Sequence, residues 1–175
     1  MSTTSKLLGV VLCGGESRRM GRDKGLLHTN GRPWALRMGD KLAQQQLPVI
    51  YSINKKQTAA YSALLPPESL IIDEEEREGP LAGVLSVHHR YPDTPLLVVA
   101  CDMQDLDAPT ISGIIDAWRV GGAGNYAYEV KGFIQPFCAI YTLFSPAKSL
   151  SAMLGISPLH TLQGDPAAFR NYNTL

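Results

Sequence analysis

Apolar residues in this chain come as short unbroken runs separated by stretches of helical spacing. Leu7-Leu8-Gly9-Val10-Val11-Leu12, Pro48-Val49-Ile50-Tyr51-Ser52-Ile53, Leu70-Ile71-Ile72 and Pro95-Leu96-Leu97-Val98-Val99-Ala100-Cys101 each read as a strand. The last is the most apolar, which suits a central strand of a parallel sheet covered on both faces. Between these runs the period changes. A helix is predicted from Pro33 to about Gln46, with Leu36, Met38, Leu42 and Ala43 on its apolar stripe. A shorter helix is expected near Lys56 to Leu65, stopped by Pro66-Pro67. Gly79-Pro80 opens another, with His88 and His89 at its exposed end, and Ala108-Pro109 opens a fourth bearing Ile111, Ile114, Ile115 and Trp118. Asn30-Gly31 is a turn pair. Asn125 to Val130 alternates like a half-buried strand, and an apolar strand follows Gln135-Pro136. Ser145-Pro146 is expected to start a last helix with Leu150, Met153 and Leu154 buried, and His160 to sit at the surface of a connector. Alternating strands and helices predict a three-layer α/β domain with a mainly parallel sheet, made mixed by residues 125 to 142.

Composition narrows this little. The chain has 175 residues, which suggests one domain, and its 45% hydrophobic content suits a globular core. Formal net charge is +0, so a general polyanion-binding surface is not expected and nucleic acid is not an expected partner. No apolar run has the length of a membrane span, and the polar start MSTTSK has no signal-peptide core behind it, so a cytoplasmic location away from membranes is expected. Cys13, Cys101 and Cys138 lie far apart inside or beside apolar runs without metal spacing. They read as small buried residues in a reducing compartment; a reactive Cys13 beside arginines is the less favoured reading.

The chemistry concentrates in Leu12 to Lys24, LCGGESRRMGRDK. Adjacent glycines bring bare N–H groups close to an anion, and Arg18, Arg19, Arg22 and Lys24 supply cationic donors. A strand running into such a loop forms a phosphate cradle at the carboxyl edge of a sheet. The spacing fits neither G-x-G-x-x-G nor a Walker loop.

This stretch closely resembles the signature loop of nucleotidyltransferases related to molybdenum cofactor guanylyltransferase, L-A-G-G-x-S-x-R-M-G-x-D-K, with Cys13 in place of the usual alanine. Further matches follow in the same order: Asn54 after the second strand, Asp73 after the third, Gly79-Pro80-Leu81-Ala82-Gly83, and Asp102 after the most apolar strand. Gln104 departs from the usual C-D-x-P. Gln135-Pro136 and Phe169-Arg170-Asn171-Tyr172-Asn173-Thr174 resemble acceptor-side segments, the latter at a point where relatives continue with proline and a final helix. Read from residues alone, Asp107 is a helix cap and Asp105 has no assigned role.

The resemblance implies a three-layer Rossmann-like nucleotidyltransferase fold over residues 1–175, with a mainly parallel mixed sheet. It implies nucleotide contacts from Leu12, Cys13, Gly14, Gly15, Lys24, Asn54, Asp73, Gly79, Gly83 and Asp102. Arg19, Lys24 and Asp102 are the implied catalytic residues, with Mg2+ on Asp102; Gln135, Asn171 and Asn173 are the implied acceptor contacts. The implied reaction moves GMP from GTP to molybdopterin or its metal-loaded form. Molybdoenzymes or cofactor-delivery proteins are further implied partners. A cytidylyltransferase, a sugar-1-phosphate nucleotidyltransferase and a non-catalytic binding or delivery module remain as alternatives.

Overall fold

The computed structural model describes residues 6–14, 22–74, 79–156 and 158–172. β1 (Leu8–Leu12) is fully buried and pairs in parallel with both β4 (Val49–Ile53) and β6 (Leu96–Ala100). β5 (Leu70–Ile72) extends the parallel block beyond β4. On the other side β9 (Ala139–Tyr141) runs antiparallel to β6, and β7 (Asn125–Val130) antiparallel to β9. β10 (Leu159–Gln163) closes that flank in parallel with β7, giving the order β10-β7-β9-β6-β1-β4-β5, with β8 (Phe133–Ile134) paired to β7. The sheet is therefore mixed but mainly parallel.

Successive side chains of a strand point to opposite faces, so each central strand fills two cores. Val11, Cys13, Leu97 and Val99 pack beneath α1 (Trp34–Ala43) and α4 (Ala108–Val120). Leu8, Val10, Leu12, Leu96 and Val98 pack beneath α3 (Pro80–Arg90) and α5 (Leu150–Leu154). Helices on both faces make three layers. Among the described residues no helix is long and apolar enough to cross a membrane.

Asn30 and Gly31 take positive φ, 52° and 75°, in the two-residue turn between β2 (His28–Thr29) and β3 (Arg32–Pro33). Asp107 caps α4 by accepting from Thr110 N at 2.9 Å. Other boundaries differ from expectation. α1 ends at Ala43, followed by a turn in which Gln46 has φ 62°. The helix after β4 starts as a 3-10 turn, Lys55–Gln57, before α2 (Thr58–Ser62). α5 begins at Leu150 rather than at Ser145-Pro146, because the Ser149 side chain accepts from Ala152 N at 3.1 Å and satisfies the first turn. His160 lies in β10, not in a connector, and stacks on Tyr126 at 4.5 Å. His88 is half-buried against Phe144 (3.8 Å between rings), so only His89 occupies the exposed end that was expected of both.

Candidate active site

Because β1, β4, β5 and β6 are parallel, the residues that leave them meet along one edge. Those residues are Cys13-Gly14, Asn54, Asp73 and Cys101-Asp102. Open α/β sheets bind ligands at this carboxyl edge.

Lys24 and Asp102 face each other here. Lys24 Nζ donates to Asp102 Oδ2 at 3.2 Å, and both side chains are largely shielded, 19% and 15% exposed. Lys24 opens a 3-10 turn, Lys24–Leu26, anchored by the residue before it. The Asp23 carboxylate accepts from Gly25 N (2.9 Å), Gln57 Nε2 (2.7 Å) and Tyr61 Oη (3.1 Å). Gln57 Nε2 also donates to Cys13 O at 2.9 Å, which ties the strand-β1 exit to the same latch. Burial beside Cys13 and Asp23 holds the Tyr61 hydroxyl protonated, as a donor to Asp23 requires.

Asn54 is half of a reciprocal cap: its Oδ1 accepts from Gln57 N (3.1 Å), while its own N–H donates to Gln57 Oε1 (2.8 Å). The Asn54 side-chain oxygen is thus committed to the backbone.

Asp73, Gly14 and Gly83 form a close floor. A Cβ on Gly14 would lie 2.5 Å from Asp73 Oδ2, and one on Gly83 would lie 2.5 Å from Ser52 Oγ and 3.4 Å from Asp73 Oδ1. Ser52, fully buried within β4, donates to Asp73 Oδ1. Burial raises the Asp73 carboxyl to about 6, opposed by the Ser52 hydrogen bond. Gly79, at φ 82°, takes the left-handed conformation and caps α3, turning Leu81 and Gly83 inward as buried residues of the first turn.

Gln104 explains how the turn after Asp102 dispenses with proline. Its Nε2 donates to Cys101 O at 2.8 Å and to Trp34 O at 3.3 Å, closing the turn through a side chain. Lys41 of α1 donates to Gln104 O (2.6 Å) and Leu106 O (2.8 Å) and holds the rest of the loop. Cys13 is buried with its thiol pushed well above the ordinary range, first by desolvation and then by Cys101, which removes the reactive-thiol reading.

Gly15, Arg18, Arg19 and Asn173 lie outside the described residues. Asn171 is exposed. Gln135 is half-buried; its N–H pairs with Tyr128 O (2.8 Å) and its amide with Phe133 O (3.0 Å), placing it on the β7–β8 hairpin, two strands outward from β6. Leu12 is a buried strand end. The sequence reading missed Ser52, Asp23, Gln57 and Tyr61. A polar residue inside the apolar run of β4 signals Ser52, and the N-x-x-Q spacing signals the cap. Nothing local signals Tyr61.

Among the described residues, no group of three or more His, Cys, Asp or Glu could hold a metal ion. Asp102 presents a hard carboxylate oxygen at the carboxyl edge of the sheet, which fits a small divalent ion that takes most of its ligands from phosphates and water.

This edge architecture is that of the nucleotidyltransferase α/β fold. Molybdopterin-guanine dinucleotide biosynthesis protein A from Archaeoglobus fulgidus superposes with a TM-score of 0.70 at 18% identity, over 95% of this chain and 92% of that one. Rv0371c from Mycobacterium tuberculosis, solved in complex with manganese, does so with 0.65 at 14% identity, over 92% and 89%. The chain belongs to the MobA-like NTP transferase domain family, which matches residues 9–165. It is 34% identical over 183 residues to the molybdenum cofactor guanylyltransferase of Shewanella putrefaciens, covering 95% of this chain and 91% of that protein. It is 32% identical over 152 residues to the molybdenum cofactor biosynthesis bifunctional protein of Synechocystis sp., covering 82% of this chain but only 43% of that protein.

Proposed function

We propose that this chain transfers GMP from GTP to the terminal phosphate of molybdopterin or its metal-loaded form, releasing pyrophosphate and forming the guanine dinucleotide cofactor. The 3.2 Å approach of Lys24 to Asp102 carries the reading, because it sets a cation and a metal-competent carboxylate together at the carboxyl edge of the sheet. The names of the 34%-identical relatives support the donor and acceptor.

The acceptor's phosphate oxygen forms a bond to the α-phosphorus as the bond from that phosphorus to the bridging oxygen of pyrophosphate breaks. The acceptor is already ionised at neutral pH, so no general base is needed. Catalysis is then positioning and charge stabilisation. Lys24 neutralises charge that builds on the leaving pyrophosphate, and Arg19 is assigned the same task. Asp102 would hold Mg2+, which supplies charge neutralisation to the phosphate oxygens. Gly14 N–H donates to Ser52 O at 3.2 Å, so the cradling of phosphate is assigned to Gly15 and the loop after it, while Gly14 serves as bare floor. Asp73 offers carboxylate acceptors to the N–H and O–H donors of the nucleotide over the bare floor of Gly14 and Gly83. Asn54 and Gly79 shape that pocket rather than reading the base with side-chain atoms. Gln135, Asn171 and Asn173 are assigned to the acceptor. The three buried, unbridged thiols suit a reducing cytoplasmic setting, with molybdoenzymes or delivery proteins assigned to receive the product.

Pyrophosphate release is measured with each of the four nucleoside triphosphates and purified molybdopterin. Turnover with GTP and magnesium is expected. Turnover with CTP alone rejects the guanylyl assignment, and binding without turnover in every combination favours a delivery module.

A further inference from the structure

The loop that carries Asp102 makes a second set of contacts that the transfer chemistry does not use. Asp105 Oδ2 accepts from Tyr172 Oη at 2.6 Å, and Arg170 Nε lies 4.0 Å from the same oxygen. The Tyr172 ring packs edge-on against Trp34, with 5.8 Å between centroids. Upstream, Phe169 is buried and packs on Tyr128 of β7 at 5.3 Å.

These contacts define a path. The chain leaves β10 beside Glu129 of β7, where Gly164 N donates to Glu129 O at 2.9 Å. β7 runs in the same sense as β6, because each is antiparallel to β9. The chain therefore starts at the carboxyl edge, passes Tyr128, and returns to the loop after β6. Asn171 is exposed on that strap between the two residues that touch Asp105. The loop beneath is rigidly held: Lys41 caps two of its carbonyls and Gln104 closes its turn.

We propose that Asp105 is the positioning residue that docks this C-terminal strap onto the Asp102 loop and so sets acceptor affinity. The inference rests on the transfer reaction proposed above. Asp105 and Asp102 point to different tasks from one short loop. Asp102 faces Lys24 and the donor phosphates, while Asp105 fixes the segment assigned to the acceptor. A carboxylate receiving a 2.6 Å phenol hydrogen bond over a ring contact gives the strap one orientation.

The test separates donor from acceptor. In Tyr172→Phe and Asp105→Asn, the KM for molybdopterin is expected to rise about five- to tenfold, with kcat within about twofold and GTP affinity unchanged. Tyr172→Phe keeps the ring on Trp34, so a folding failure of Asp105→Asn would not decide the matter alone. An unchanged acceptor KM in both variants overturns the inference, and so does an equal loss of GTP affinity, which would mark a merely structural contact. Absence of wild-type turnover with molybdopterin is a different result: it defeats the proposed reaction, and the inference with it.

Discussion

Lys24 and Asp102, 78 positions apart in the chain, meet at 3.2 Å across the carboxyl edge of the sheet. The contact is between two residues that arrive by different routes, one on a turn latched by Asp23 and the other at the end of the central strand β6. A multivalent anion with its counter-ion can divide this pair, drawing the ammonium to phosphate oxygens and the carboxylate to the metal.

Removing either partner is expected to affect turnover differently. Lys24→Ala is expected to lower kcat by about a hundredfold or more, the scale seen when one charge-stabilising donor is lost from a transition state. Asp102→Asn is expected to shift the magnesium titration to higher concentration as well as slow turnover. Steady-state kinetics across a metal series separate the two. Wild-type-like kinetics in Lys24→Ala removes that residue from the mechanism, and an unmoved metal midpoint in Asp102→Asn removes the ligand role.

Asp73 makes stability depend on pH. Its carboxyl sits at about 6 in the folded chain against 3.8 for the group in water. Above about pH 6 it is ionised in both states, and the folded chain carries the desolvation cost. Below about pH 4 it is protonated in both and the cost is gone. Stability from this residue therefore falls as pH rises from about 4 to about 6 and is level above. Asp73→Asn is expected to gain roughly 1–3 kcal/mol at pH 8 while losing GTP affinity. Urea unfolding at pH 4 and pH 8, beside GTP titrations, checks both; equal stability of the two proteins at pH 8 contradicts the assignment.

Gly83→Ala places a methyl group 2.5 Å from Ser52 Oγ and 3.4 Å from Asp73 Oδ1. The hydroxyl is the end of a side chain and can rotate away, so folding is expected to survive with a Tm loss of a few degrees. The Ser52 hydrogen bond to Asp73 is lost in that movement. GTP affinity is expected to fall about tenfold, read by calorimetry; unchanged affinity would show that the floor lies away from the nucleotide.

The thiols are expected to be inert. Cys13, Cys101 and Cys138 are all buried and unbridged, and burial raises each of them, Cys101 to about 12. A chromogenic disulfide reagent is expected to label none in native protein and all three after denaturation. Rapid native labelling of one thiol would contradict the burial of that site.

Strand runs such as Leu96–Ala100 were legible because apolar continuity over that length has few other uses in a folded chain. The Asn30-Gly31 turn and the Asp107 cap were legible for a similar local reason: each satisfies its own backbone groups within a few residues. β10 was not. Leu159 to Gln163 carries no clean alternation and becomes a strand only by pairing with β7, more than thirty residues earlier. Asn54 was legible as a strand-end residue, but the Gln57 bonds that hold its side chain and its N–H were not.

By itself the amino-acid order determined the Leu12 to Lys24 motif, the alternation of strand and helix, and which carboxylates close a strand. Those properties depend on neighbours along the chain. Tertiary structure alone decided that Lys24 reaches Asp102, that Ser52 holds Asp73, and that Asp105 receives Tyr172 across 67 positions. Such contacts form only after parallel strands bring their ends to a common edge, and the spacing of residues in sequence carries no record of that distance.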